Sequence, residues 1–308
     1  MQTTTSQNNP APVAIKGNIG LWYYRTFFSE YFKPSTPPQS NEKKFKEWLQ
    51  LQYDPVLHAA WGAFSRLKDD FATEPWSNTS FSLCTVYPGL VCGIGYEHEL
   101  SITNEFKLGF AFDHTTGLPY IPGSSVKGTL RSAFRHGGYP KSIILDWIDA
   151  IENPSPEKTV PVELTDKVAE LKKIVLPATD WEKVEKQIFE GIEYLSGTKD
   201  ENPYQRDIFF DACISGVVPA DQRFLADDYI TCHQNRKNPE LSPFTEPNPV
   251  RFLKVRSGVE FTFSFRLSDT VVANNVILSK TVKTELFKHF LLTLGIGAKT
   301  NVGYGQFE

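Results

Sequence analysis

Cysteine is scarce in this chain, and long apolar runs are missing. Its 308 residues hold only Cys84, Cys92, Cys213 and Cys232, and no two of them have the C-x-x-C spacing of a zinc knuckle or the density of a disulfide framework. They read as reduced, mostly buried thiols. The longest aromatic-rich stretch, Leu21 to Phe32, is interrupted by Arg25, Ser29 and Glu30, which makes it too short and too polar to cross a bilayer. The first ten residues lack the basic cluster and apolar core of a secretory signal, so a cytoplasmic location is expected. An excess of charge of one sign is also absent, since 32 basic residues against 36 acidic ones leave a net −4. That argues against a surface coated in nucleic acid, although an average can conceal segregation. What is plentiful is core material: 40% hydrophobic and 13% aromatic residues exclude a disordered chain.

The charge is indeed segregated. Between Asp113 and Lys141 the basic residues Lys127, Arg131, Arg135 and Lys141 face a single acid, a balance of +3, whereas residues 142–201 hold 14 acids and 7 lysines. The acidic stretch carries helical signals, including capping-box spacing over Thr179-Asp180-Trp181-Glu182, and reads as a helical insertion with a solvated acidic face. Residues 1–20 read as a mobile start. Residues 43–71 have a helical apolar pattern with Pro55 as a break. Strand signals occupy 81–94, 99–112, 207–218 and 250–267. In the last of these Val259, Phe261, Phe263, Phe265 and Leu267 alternate after an Arg256-Ser257-Gly258 turn, the pattern of a half-buried antiparallel hairpin. Residues 229–249 have neither period and read as a long loop. The expected class is α+β.

Two motifs carry chemistry. The first is Leu118-Pro-Tyr-Ile-Pro-Gly-Ser-Ser-Val-Lys-Gly-Thr-Leu-Arg-Ser-Ala-Phe-Arg135. A helix is expected to start here, with Ser124 or Ser125 as N-cap and Val126, Leu130, Ala133 and Phe134 as its apolar stripe. Lys127, Arg131 and Arg135 then fall on the other face at i, i+4 and i+8, behind free amides and a positive dipole end that suit phosphates. The same spacing also describes an ordinary capped helix with a solvated basic face, and spacing alone leaves both readings open. A nucleotide P-loop is excluded, because the Lys-Ser or Lys-Thr ending is missing. The second motif is Gly295-Ile-Gly-Ala-Lys-Thr-Asn-Val-Gly-Tyr-Gly305, after an amphipathic helix from Thr281 to Leu294. Its glycines permit positive φ, and Lys299, Thr300 and Asn301 at its tip could bind an anion. A glycine-rich hairpin without a ligand fits the spacing equally well. A dinucleotide fold is disfavoured, since these glycines follow a helix instead of opening one.

Together the two motifs resemble the signatures of the RAMP superfamily of CRISPR proteins, with their I-P-G-S-S-x-K-G-x-x-R segment and glycine-rich loop. Asn18-Ile-Gly-Leu-Trp-Tyr-Tyr, Phe209-Phe-Asp-Ala212, the His233 loop and Pro249-Val-Arg-Phe-Leu-Lys-Val extend the likeness over most of the chain, in the order of RAMP subunits from type III-B (Cmr) complexes. The resemblance implies one elaborated domain over 1–308, built on a ferredoxin-like (RRM-like) core. Its embellishments would be the helical insertion at 142–201, a thumb-like projection at 229–249 and the C-terminal glycine-rich loop. It implies binding of CRISPR RNA by its backbone toward the 3′ end, with complementary target RNA and other Cmr subunits (backbone RAMP, small helical subunit, head RAMP) as partners and no membrane. The RNA-contacting residues it implies are Gly123, Ser124, Ser125, Lys127, Gly128, Arg131 and Arg135, then Gly295, Gly297, Lys299, Thr300, Asn301, Gly303, Tyr304 and Gly305, with His233.

No cofactor or metal is expected, and the preferred reading is non-catalytic. Sibling subunits cut RNA with an acid upstream of the I-P-G-S-S segment, where this chain has Lys107, with Glu105 two residues away. Asp113 and His114 lie nearer, but an acid and a histidine before a turn are commonly structural. Two alternatives are a metal-dependent target-RNA endonuclease and a metal-free CRISPR-RNA processing endonuclease using His233 as general base.

Overall fold

The computed structural model describes residues 18–64, 76–93, 105–106, 110–135, 138–175, 179–195, 198–201, 205–232, 248–273 and 276–308. The sequence-based expectations for 1–17, Lys107, His233 and most of 229–249 lie outside these residues.

The aromatic run begins the described chain as helical turns, Ile19–Leu21, Trp22–Thr26 and Phe27–Tyr31, which bury Tyr23 and Phe27. Helix α1, Glu42–Leu57, is capped by Asn41 and buries Phe45, Leu49, Tyr53 and Val56. Pro55 does not break it as expected. Proline this late removes one hydrogen bond from the final turn, and the helix stops just beyond it. Strands β1, Thr79–Cys84, and β2, Tyr120–Ile121, precede helix α2, Gly123–Arg135. Helices α3, Gly138–Glu152, α4, Val168–Val175, and α5, Trp181–Glu190, fill the expected insertion. A hairpin of β3, Ile192–Leu195, and β4, Thr198–Glu201, closes it. Asp180, not Thr179, caps α5, because Thr179 Oγ1 donates instead to the Ile174 carbonyl. The remaining elements are β5, Ile208–Phe209, β6, Ala212–Val217, β7, Leu225–Cys232, β8, Asn248–Val255, β9, Val259–Arg266, β10, Thr270–Ala273, β11, Val276–Leu278, and α6, Lys280–Leu294.

This is an α+β architecture with an antiparallel sheet in the order β1-β9-β6-β2, β5 pairing beside it on β9. Residues 306–308 add to the free edge of β1, where Thr85 bridges Phe307 and Cys84 exchanges amide hydrogen bonds with Glu308. In chain order the core is therefore strand β1, helix α2, strands β6 and β9, helix α6 and a last strand, arranged last-β1-β9-β6 with β2 at the far edge.

The hairpin expected across 250–267 does not form. The turn at 256–258 exists, but β8 pairs with β7 through eight residues, from Leu225↔Val255 to Cys232↔Asn248. Residues Thr85 to Leu90 separate β8 from β9: Leu90 exchanges backbone hydrogen bonds with Val255 on one side, while Thr85 bonds Gly258 and Val259 on the other. Nor is β9 half-buried. Val259, Phe261, Phe263 and Phe265 are buried, Phe265 against Phe287 of α6, and Thr262 and Ser264 on the opposite face are only 8% and 4% exposed in a strand flanked by β1 and β6. The segment 229–249 likewise begins and ends as strand, in β7 and β8. Of 99–112, the described residues make isolated bridges at Phe106 and Phe112.

Phe134 of α2 joins the helical layer, touching Trp181 and Phe189 of α5 and Phe287 and Phe290 of α6, while Phe287 packs on Phe209 and Phe265 of the sheet. Leu294 is 37% exposed at the end of α6. In the first turns of α6, Lys283 is fully buried with its ammonium 2.5 Å from Asp207 Oδ2 and 2.9 Å from Thr270 Oγ1. Among the described cysteines Cys92 is buried, its thiol pushed up to about 12 by burial, whereas Cys84 and Cys213 are partly exposed. No helix among the described residues is long and apolar enough to cross a membrane.

Candidate nucleic-acid interface

The first motif folds at the edge of the sheet. Strand β2 delivers Pro122 and Gly123 directly into α2, so the helix begins one residue before the serines expected to cap it. The first amide is satisfied from elsewhere: Gly123 N donates to Asp211 Oδ1 at 2.6 Å. Glycine is required here because a Cβ would lie 2.4 Å from the Phe209 carbonyl oxygen. Asp211 is the functional neighbour that spacing could not identify; its only signal was its place in the Phe-Phe-Asp-Ala segment. An arriving phosphate meets that carboxylate at the same amide.

The three cations of α2 are not a free ladder. Lys127 Nζ donates to the Phe189 carbonyl at 2.8 Å, and burial, followed by the nearby Arg206 and Arg131 charges, pulls its pKa down. Arg131 is ion-paired to both Glu185 and Glu190 of α5. Arg135 lies 4.0 Å from Glu185 and keeps 67% of its side chain exposed. Most described acids of the insertion are exposed, as expected, but Glu185 is an exception: it is only 4% exposed and turns toward α2, because a buried carboxylate needs the guanidinium opposite. Ser124, Gly128 and Arg135 remain exposed on this helix, with Ser125 partly covered.

The second motif is less encumbered. All four glycines, 295, 297, 303 and 305, have positive φ, and Lys299 joins them at φ +65, starting a short turn over Thr300–Val302. Among the described residues Lys299 has no acidic partner, and the amides of Lys299, Thr300 and Asn301 make no hydrogen bond. The loop is anchored at its base. Gly305 N donates to the Gly89 carbonyl at 2.8 Å, Ala298 N to that of Val91 at 2.8 Å, and Ile296 N to that of Gly305 at 2.9 Å. Tyr304 hydroxyl donates to Asp228 Oδ2 at 2.8 Å, where Lys254 Nζ also donates at 2.6 Å, tying the loop to the β7–β8 hairpin. Burial and then the Asp228 hydrogen bond hold the Tyr304 phenol well above its ordinary value. Four strand steps separate the two motifs across the sheet, roughly 19 Å at about 4.8 Å per step.

The candidate acids are committed elsewhere. Asp113 Oδ1 accepts from Thr115 N, Thr116 N and Thr116 Oγ1 at 3.1, 2.7 and 2.8 Å, closing its own turn. His114 offers its carbonyl to Asn18 Nδ2. Glu105 is 0% exposed. No group of three His, Cys, Asp or Glu residues that could hold a metal occurs among the described residues.

An α+β chain with two glycine-bearing motifs at opposite edges of one antiparallel sheet thus defines the class. The chain belongs to the RAMP superfamily, whose sequence profile matches residues 12–308. It is 27% identical over 235 residues to the CRISPR system Cmr subunit Cmr6 of Pyrococcus furiosus, covering 70% of this chain and 64% of that protein's length. Among solved structures it is similar to a chain of the type III-B Cmr-beta complex bound to cognate target RNA, with 18% identity, a TM-score of 0.44, and coverage of 94% of this chain and 86% of that one. It is also similar to crystalline Cmr6 from Pyrococcus furiosus, with 22% identity, a TM-score of 0.35, and coverage of 74% and 95%.

Proposed function

We propose that this protein is a non-catalytic RNA-binding subunit of a cytoplasmic type III-B CRISPR effector complex, gripping the phosphate backbone toward the 3′ part of the CRISPR RNA. The observation that carries the reading is the terminal loop, where a lysine and three consecutive amides, all without partners among the described residues, gather on an anchored base, an arrangement suited to a phosphate oxygen. RAMP membership and similarity to a Cmr subunit support the choice of RNA and of complex. Complementary target RNA, a backbone RAMP, a small helical subunit and a head RAMP are the partners this implies. The core order β-α-β-β-α-β, with the last strand beside β1 and β9 beside β6, supports a ferredoxin-like reading.

Within this reading the terminal loop is the primary grip and α2 the secondary one, because Asp211, Glu185 and Glu190 already occupy much of the helix's capacity for anions. Ser124, Ser125, Gly128 and Arg135 would contribute there, with Lys127 and Arg131 joining on rearrangement. The absence of cutting rests on the carboxylate of Asp113 being committed to its turn and on the inaccessibility of Glu105. The test is anisotropy of fluorescent single-stranded RNA over a salt series with the full chain. Lys299→Glu and Arg135→Glu should weaken binding uniformly across sequences and lower the salt slope by about 0.7 for each phosphate no longer neutralised. Unchanged affinity and slope in folded variants would remove the assignment, and magnesium-dependent cleavage of the RNA would replace it with the nuclease reading.

A further inference from the structure

Tyr87 is 85% exposed, the most open of the large apolar side chains in the described structure. It does not belong to a loose segment. Val86 N donates to the Gln306 carbonyl at 3.1 Å, Gly89 N to that of Val86 at 2.8 Å, and the Gly89 carbonyl receives Gly305 N at 2.8 Å. Leu90, just beyond, is hydrogen-bonded in both directions to Val255. The turn is therefore clamped between the last strand and β8, and the ring projects from a fixed base. Its surroundings are those of the terminal loop: a Cβ at Gly303 would lie 3.5 Å from Pro88 Cδ, and Val302 beside it is 63% exposed. The Tyr87 phenol is also near enough to Tyr304 to contribute to that residue's raised pKa. An aromatic face held rigidly in water beside the terminal loop, which carries Lys299 and amides that are free among the described residues, pairs an apolar platform with an anion grip.

We propose that Tyr87 is a stacking platform for one unpaired RNA base whose neighbouring phosphate is held by Lys299 and the Thr300–Asn301 amides. The inference rests on the RNA-binding reading of the terminal loop and adds a residue outside both motifs. Stacking needs only a π-face, so the contact tolerates any base and sets the position of the strand without reading it. Immobilising the ring costs little, because its backbone is already fixed and a tyrosine has two side-chain torsions.

The experiment compares wild type with Tyr87→Ala, Tyr87→Phe and Lys299→Ala in binding to single-stranded RNA carrying 2-aminopurine, whose fluorescence is quenched on stacking. Tyr87→Ala should weaken binding about five- to a hundred-fold, abolish the protein-dependent quench and leave the salt slope unchanged. Tyr87→Phe should retain both affinity and quench. Lys299→Ala should lower the slope while preserving the quench at saturation. An exposed turn residue is a safe site for alanine, and circular dichroism checks the fold. If wild type binds RNA and Tyr87→Ala binds equally with an unchanged quench, the inference fails while the RNA-binding reading stands. If wild type does not bind, that reading fails first. If Tyr87→Ala keeps RNA binding but loses assembly with a neighbouring subunit, the ring is a protein contact and the proposal is overturned.

Discussion

Replacing glycine by alanine at three positions should give three different outcomes from one chemical change. Gly128 lies exposed inside α2, and a Cβ there meets nothing within 4 Å. Alanine removes the backbone entropy cost of glycine in a helix, so Gly128→Ala should stabilise the protein by about 0.5–1 kcal/mol. Gly303 has φ +94, but its nearest neighbour would be Pro88 Cδ at 3.5 Å, so only the left-handed conformation is penalised, by about 1–2 kcal/mol. Gly305 has φ +69, and its Cβ would lie 1.9 Å from the Ile296 carbonyl oxygen and 3.0 Å from its carbonyl carbon. No side-chain rotation relieves a clash with backbone. The loop must open, giving up the bonds Ile296 N to Gly305 O and Gly305 N to Gly89 O, each about 1 kcal/mol net. With the conformational penalty, Gly305→Ala should destabilise the protein by about 3–4 kcal/mol. Urea unfolding followed by circular dichroism reads all three as midpoint shifts at constant m. If Gly305→Ala costs no more than Gly303→Ala, the close approach at Ile296 does not govern the loop and the reasoning is refuted.

Two further predictions concern buried charge and pH. Lys283→Ala strips the counter-charge from Asp207, which is 3% exposed, and should cost about 3–5 kcal/mol in urea unfolding; a cost below about 1 kcal/mol would mean that water reaches the pair. Burial alone would raise the Asp228 carboxyl, but hydrogen bonds from Lys254, Tyr304 and the Tyr229 amide hold it below its ordinary value. A depressed carboxylate contributes fully above its unfolded pKa of about 3.9 and loses that contribution as pH falls through the lower folded value. Stability should therefore drop below about pH 4, and Asp228→Asn should flatten the curve in that window while leaving the curve's shape at pH 5–8 unchanged; identical acid limbs would assign the drop to other carboxylates.

Much of the local structure was legible. The apolar stripe of Val126, Leu130, Ala133 and Phe134 located α2, and Gly295, Gly297, Gly303 and Gly305 take the positive φ that glycine permits. Pairing was not legible. The alternation through Val259 to Leu267 reports which side chains share a face, but it says nothing of which strand lies alongside, and Thr85 to Leu90 intervened between β8 and β9. Charge spacing has the same limit: the i, i+4, i+8 rule placed Lys127, Arg131 and Arg135 on one side of α2, while Glu185 and Glu190 arrived opposite them from a helix more than fifty residues later. Asp211 escaped because its partner is a backbone amide 88 positions away.

The last strand also sets an order of events during synthesis. Thr85 finds Phe307 across 222 residues of chain, so this edge of β1 has no native partner until residues 306–308 have left the ribosome. An open strand edge is a template for pairing with other chains, and the closure is of the non-local kind that forms slowly. The nascent protein therefore carries an open β1 edge until residues 306–308 are made, and the same residues that close it also anchor the base of the terminal glycine loop.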